Sequence, residues 1–244
     1  MTESRPQLLV DDLYTRRLAG RRAEPVAVVL LLHGGQESSS EPVRPGQLSV
    51  LRMIPFGRAI AAQGGGRVVV ARLRYRTRGW NAAPGQQPAP VADAEWALAQ
   101  LSERFGQLPF GIVGHSMGGR TAMRVAGHPQ VRTVVGLAPW LPPTEPIEQL
   151  AGREVLLVHG TADRMTSPAG SAAFTARLAA AGIPATLVRI EGGRHAMLRR
   201  PRLWHQLAAQ FALNGLLPGY QPSGRRDAPN FLGQLRSGSA RITY

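Results

Sequence analysis

The stretch GHSMG at residues 114–118 sets a serine between two glycines, directly after the apolar run FGIVG at 110–114 and directly before a helix-like tail. Gly114, Ser116 and Gly118 satisfy the spacing G-x-S-x-G, and that spacing has a steric cause. A nucleophile on a sharp strand-to-helix turn sits in a strained backbone conformation, so the residues two before and two after it must lack bulk for strand and helix to approach. Such a turn lifts the Ser116 hydroxyl clear of a sheet. It also aims the N-terminus of the next helix at the reacting centre, where backbone N–H groups stabilise a developing oxyanion. The chemistry indicated is attack by an activated hydroxyl; a structural turn serine is the competing reading.

Composition removes other routes. The 244 residues contain no cysteine, which excludes a thiol nucleophile, a disulfide framework and a cysteine zinc site. They contain no lysine either, so Schiff-base chemistry and a lysine-bearing phosphate loop are excluded. The formal net charge of +14 is therefore carried by arginine. The N-terminus has no uninterrupted apolar stretch of signal-peptide length and no later segment approaches a membrane span, which points to a soluble, cytoplasmic protein.

The elements that must position Ser116 are short, nearly continuous apolar runs, the pattern of strands buried on both faces of a parallel sheet. They lie at 26–32, from 68, from 110, from 133, from 154 and from 185. Helix-like segments separate them, among them 91–105 and 168–181, the latter with Ser167 as N-cap, Pro168 in the first turn and Gly182 as the stop. Alternating strand and helix predict an α/β fold with a mostly parallel central sheet and helices on both faces. Arginines and aspartates between Leu8 and Leu18 leave an edge strand there weakly marked. Residues 1–213 read as one domain, and 214–244, rich in Gly, Pro, Ser and Arg, as an irregular basic tail.

At this point the chain resembles the α/β-hydrolase superfamily, in particular its small lidless serine esterases and dienelactone-hydrolase-like branch. LLHGG at 31–35 is similar to the family segment that supplies an oxyanion donor, VHGTADRMTSP at 158–168 to its acid-bearing turn, and EGGRHAM at 191–197 to its histidine loop. The resemblance implies Ser116 as nucleophile, His195 as base and Asp163 as the acid that fixes the imidazole, in the chain order of that fold. It implies the backbone N–H groups of Met117 and Gly35 as oxyanion donors, with Gln36 as the alternative to Gly35. Glu145 and Glu191 are rivals for the acid. His33, His115 and His159 also fall at strand ends, where imidazoles can converge on a metal, but each belongs to a family-like turn and no carboxylate follows at ligand spacing. No metal and no cofactor are expected. His128 and His205 read as packing or surface residues.

The same resemblance puts a helical lid between two late strands of many relatives. Here only 139–153 fills that gap, rich in proline, so the expected lid is minimal and Trp140 is a candidate pocket wall. Arg72, Arg74, Arg76 and Arg78 alternate at strand period, which makes Arg74 and Arg76 pocket candidates for an anionic substrate, and Gln36, just after the HGG segment, is a further pocket candidate. The expected function is cleavage of small or medium carboxylic esters through an acyl-serine. A thioesterase or acyltransferase on the same residues, and a non-catalytic basic binding protein, are the alternatives. Scattered arginines and few aromatics argue against specific nucleic-acid binding. A dinucleotide-binding fold is excluded because GGG at 64–66 precedes a strand instead of following one.

Overall fold

The computed structural model describes residues 5–11, 24–81, 85–222, 231, 233 and 241–244. Its centre is β2 (Ala27–Leu32), six consecutive buried residues that the sequence gives as one apolar run. Alternate side chains serve opposite faces. Val28, Leu30 and Leu32 pack into one core cluster, and Ala27, Val29 and Leu31 into the other.

Beyond β2, the chain forms α1 (Leu48–Leu51), α2 (Met53–Gly64), β3 (Val68–Arg74), α3 (Ala89–Phe105), β4 (Phe110–His115) and α4 (Met117–Arg124). It continues through β5 (Val131–Leu137), β6 (Glu154–Gly160), α5 (Pro168–Ala180), β7 (Ala185–Ile190) and α6 (Pro201–Leu216). The N-terminal β1 (Gln7–Val10) and C-terminal β8 (Arg241–Thr243) complete an eight-stranded sheet of order β1-β3-β2-β4-β5-β6-β7-β8. Only β1 is antiparallel, against β3. Helices α3, α4 and α5 supply the first cluster, α2 and α6 the second.

The strand order reverses between β2 and β4. From β2 the chain leads to α2 on one face, and from β4 to α4 on the other, with Leu32 and Gly114 paired at the strand ends. A crevice opens at such a switch point, outside the carboxyl ends of the strands. Ser116 is two residues beyond Gly114.

All six expected strands and both expected helices are present. Ser167 caps α5 by accepting a hydrogen bond from the Gly170 N–H at 2.9 Å, and Gly182 ends the segment at φ 70°. The edge strand covers only Gln7–Val10; the rest of the Leu8 to Leu18 segment beyond Asp11 lies outside the described residues. The expected irregular tail needs correcting in three places. Helix α6 runs on to Leu216, Phe231 is fully buried in the second cluster, and Arg241–Thr243 pairs with β7. Their partners are remote in sequence, so local composition carried no sign of them. Phe231→Ala should therefore cost about 3–5 kcal/mol of stability in urea unfolding, the range for a buried phenylalanine, whereas less than 1 kcal/mol would detach this residue from the core.

Candidate active site

Ser116 lies between β4 and α4 with φ 56° and ψ −118°. A non-glycine residue there carries about 1–3 kcal/mol of backbone strain, which persists only where surrounding packing imposes it. The packing is explicit. A Cβ on Gly114 would run into the Gly118 carbonyl, and one on Gly118 into the carbonyls of Leu32 and His33. Strand β2, strand β4 and helix α4 thus meet backbone to backbone, which only glycine permits.

The loop after β2 lies against this turn. A Cβ on Gly34 would sit 3.3 Å from Ser116 Cβ, and one on Gly35 would overlap the Met117 thioether. Gly35 and Met117 therefore share one corner, and Met117 opens α4, where the first N–H groups have no intrahelical acceptor. His33 braces the loop. Its Nδ1 is 2.7 Å from the Gly34 carbonyl and its Nε2 is 3.3 Å from the Tyr75 N–H, so the proton belongs on Nδ1. Burial pushes the His33 pKa down to about 4 and keeps the ring neutral. Gln36 does not serve as an alternative donor, because its N–H is spent on the Arg78 carbonyl at 2.8 Å.

Asp163 and His195 come together from the ends of β6 and β7. His195 Nδ1 lies 2.9 Å from Asp163 Oδ2. Asp163 Oδ1 accepts from the N–H groups of Met165 at 2.8 Å and Thr166 at 3.1 Å, and Oδ2 also meets Thr166 Oγ1 at 3.0 Å and His159 Nε2 at 3.2 Å. Burial would raise this carboxyl, but the donors from His159, His195, Thr166 and Met165 outweigh it and hold it well below the usual carboxylate range. It stays an anion in a site without exposed carboxylate surface.

The histidine loop is tied to the serine turn through His115, whose Nε2 lies 3.0 Å from the His195 carbonyl and whose ring stands 4.8 Å from the His195 ring. Complete burial, followed by the neighbouring His195 and Arg52, pushes His115 down to about 3.

The other expected candidates have structural partners. Glu145 is fully buried, bonded to Arg120 at 2.5 Å and paired with Arg124, so it is not available to a histidine. Glu191 accepts from the Thr161 hydroxyl at the surface. Arg72 pairs with Asp11, Arg78 with Glu41, and Arg76 with the buried Asp93, while Arg74 bonds Gln7 and the Val43 carbonyl. Strand β3 ends at Arg74, so the four guanidiniums do not form one anion-binding face. Trp140 does stand beside the turn: its backbone N–H donates to the Ser116 carbonyl at 3.2 Å, and its ring and that of Trp80 clasp the Arg120 guanidinium at 4.5 and 4.1 Å. Sequence reading missed Trp80, Arg120, Thr166 and the role of His159. The available signals were that Arg120 is one helical turn past Ser116, and that His159 is four residues before Asp163. Between β5 and β6 the sole regular element is the 3-10 turn Glu148–Leu150. Among the described residues no group of three or more histidines and carboxylates is placed to hold a metal, and no helix is long and apolar enough to cross a membrane.

Residues 27–153, just over half the chain, match the sequence profile of the family described as alpha/beta hydrolase fold. A search of curated proteins finds no match. Among solved structures, Est1E from Butyrivibrio proteoclasticus with ferulic acid bound aligns with a TM-score of 0.62 at 14% identity, covering 86% of this chain and 95% of that one. A serine hydrolase without lid from Xanthomonas campestris aligns at 0.63 and 18% identity, over 88% and 91% of the two chains. An acetyl ester-xyloside bifunctional hydrolase from Caldicellulosiruptor lactoaceticus aligns at 0.58 and 17% identity, over 84% and 86%. At such identities the likeness is one of fold.

The buried histidines set an acid sensitivity. Unfolded, His115 binds a proton below its ordinary value of 6.5; folded, it does so only near 3. Between those values the unfolded state holds more protons, so stability present above pH 6.5 is lost as pH falls, by about 1.4 kcal/mol per pH unit for this group. Urea unfolding between pH 6 and 4 should show that extra slope in wild type and not in His115→Gln. Parallel curves would contradict the assignment.

Proposed function

The chain belongs to the α/β-hydrolase fold family, and from that membership we propose that it is a serine hydrolase acting on small or medium carboxylic esters. The observation that carries this reading is the 2.9 Å contact of His195 Nδ1 with a buried, anionic Asp163 at the end of the sheet where Ser116 occupies its strained turn. A serine hydrolase without lid and an acetyl ester-xyloside hydrolase on the same fold support it.

In the proposed reaction His195 Nε2 takes the Ser116 hydroxyl proton as Oγ attacks the ester carbonyl carbon. The carbonyl π pair moves onto oxygen, and the N–H groups of Met117 and Gly35 stabilise that oxyanion. Collapse breaks the bond to the alcohol, which leaves with the proton from His195. Water then attacks the acyl-serine, gives a proton to the same nitrogen, and the acid departs as Ser116 regains its hydrogen. Asp163 accepts the Nδ1 hydrogen bond throughout and steadies the imidazolium. The short β5–β6 connection leaves the entrance free of a lid, and Trp140 walls one side.

With chromogenic acetyl and butyryl esters, Ser116→Ala and Asp163→Asn should each lose at least 10³-fold in kcat/KM. Glu191→Gln should stay within about threefold, and Glu145→Gln should lose stability through its stranded arginines more than activity. Equal losses at Asp163 and Glu191 would reopen the choice of acid.

A further inference from the structure

Asp163 is held by two imidazoles, not one. His159, the penultimate residue of β6 and 1% exposed, directs Nε2 to Asp163 Oδ2 at 3.2 Å, the same oxygen that His195 Nδ1 meets at 2.9 Å. The far side of the His159 ring is also occupied, with Nδ1 2.7 Å from the hydroxyl of Ser171, a fully buried residue of α5. Thr166 Oγ1 sits in the gap between the two rings, 3.3 Å from His159 Nε2 and 3.2 Å from His195 Nδ1, and reaches the Ala138 carbonyl at 3.1 Å.

The positions of the protons follow from these distances. A lone pair on His159 Nε2 would face a carboxylate lone pair between two buried side chains, an arrangement that costs a full unsatisfied polar contact. Nε2 must therefore carry hydrogen. A neutral ring then has a bare Nδ1, and the Ser171 hydroxyl can donate to it, which satisfies every atom in the chain Ser171, His159, Asp163, His195.

We propose that His159 is a positioning residue for the acid. Its proton is held on Nε2 by the Asp163 carboxylate, the Ser171 hydroxyl locks the ring in place by donating to Nδ1, and the ring fixes the carboxylate in the one orientation that meets His195 Nδ1. Two independent elements then aim the base: the turn of residues 161–166 supplies N–H groups to Oδ1, and helix α5 acts on Oδ2 through Ser171 and His159. The lever is geometric, because a misplacement of about 1 Å in a catalytic group can cost on the order of 10²-fold in rate. The proposal rests on Asp163 serving as the acid.

Three variants and two readouts test it. His159→Leu removes the donor, His159→Gln places an amide N–H near the Nε2 position, and Ser171→Ala removes the lock while leaving α5 with a good helix former. The expected kcat is down about 10- to 100-fold in His159→Leu with KM within about twofold, within about threefold of wild type in His159→Gln, and intermediate in Ser171→Ala. Nitrogen-15 NMR of imidazole-labelled protein should show His159 protonated on Nε2 and bare on Nδ1 in wild type, with the Nδ1 resonance shifted in Ser171→Ala as that nitrogen loses its hydrogen-bond donor. The spectra need no turnover, so they decide the point even if Ser116→Ala retains activity and the nucleophile assignment fails. They also decide it if His159→Leu does not fold. A His159 proton found on Nδ1 alone, or His159→Gln as impaired as His159→Leu, overturns the proposal.

Discussion

The rest of the site depends on the close approach of strand β4, helix α4 and the end of β2 around Ser116. Gly114 and Gly118 let backbone meet backbone there, and the contact forces Ser116 to φ 56°, a conformation that a side-chain-bearing residue does not adopt unaided. Because the strand order reverses between β2 and β4, the same contact fixes the loop of Gly34 and Gly35 against the turn. The stored strain of about 1–3 kcal/mol is small beside the burial of the sheet, where each enclosed Val or Leu contributes about 1.5–3 kcal/mol. The core can sustain a costly turn at one point because it is apolar on both faces of β2.

A second constraint is electrostatic. The Asp163 side chain is enclosed, and an enclosed carboxylate without donors would hold its proton. Two imidazoles and two backbone N–H groups meet it instead, so charge is retained where it can act on His195. The same economy governs the arginines next to the turn. Arg120 lies between two indole rings with Glu145 at its Nε, and Arg124 shares that carboxylate. Two of the positive charges beside the turn are thus tied down by one buried carboxylate and two indole rings.

How much of this could be read in the sequence varied with the range of the interaction. Runs such as AVVLLL and EVLLVHG announce buried parallel strands because their neighbours on both faces are apolar whatever the topology. The serine turn was visible for a similar reason: Gly114 answers to a steric demand within five residues, whereas Gly118 answers to the distant carbonyls of Leu32 and His33. The arginine alternation misled because its meaning lies with Asp11, Gln7, Glu41 and Asp93, partners between 17 and 67 positions away. Strand β8 and Phe231 were missed on the same ground, being held by β7 and by the second core cluster. The grip of His159 on Asp163 needed both its spacing and the buried hydroxyl of Ser171, and only the spacing is local.

The central claim is that Ser116 is an activated nucleophile, and labelling with a fluorophosphonate followed by intact-mass measurement and peptide mapping tests it most directly. The account predicts one adduct, on Ser116, with none in folded Ser116→Ala. Folded wild type that takes no label under conditions where a known serine esterase reacts completely, or a label that persists in Ser116→Ala, would contradict it.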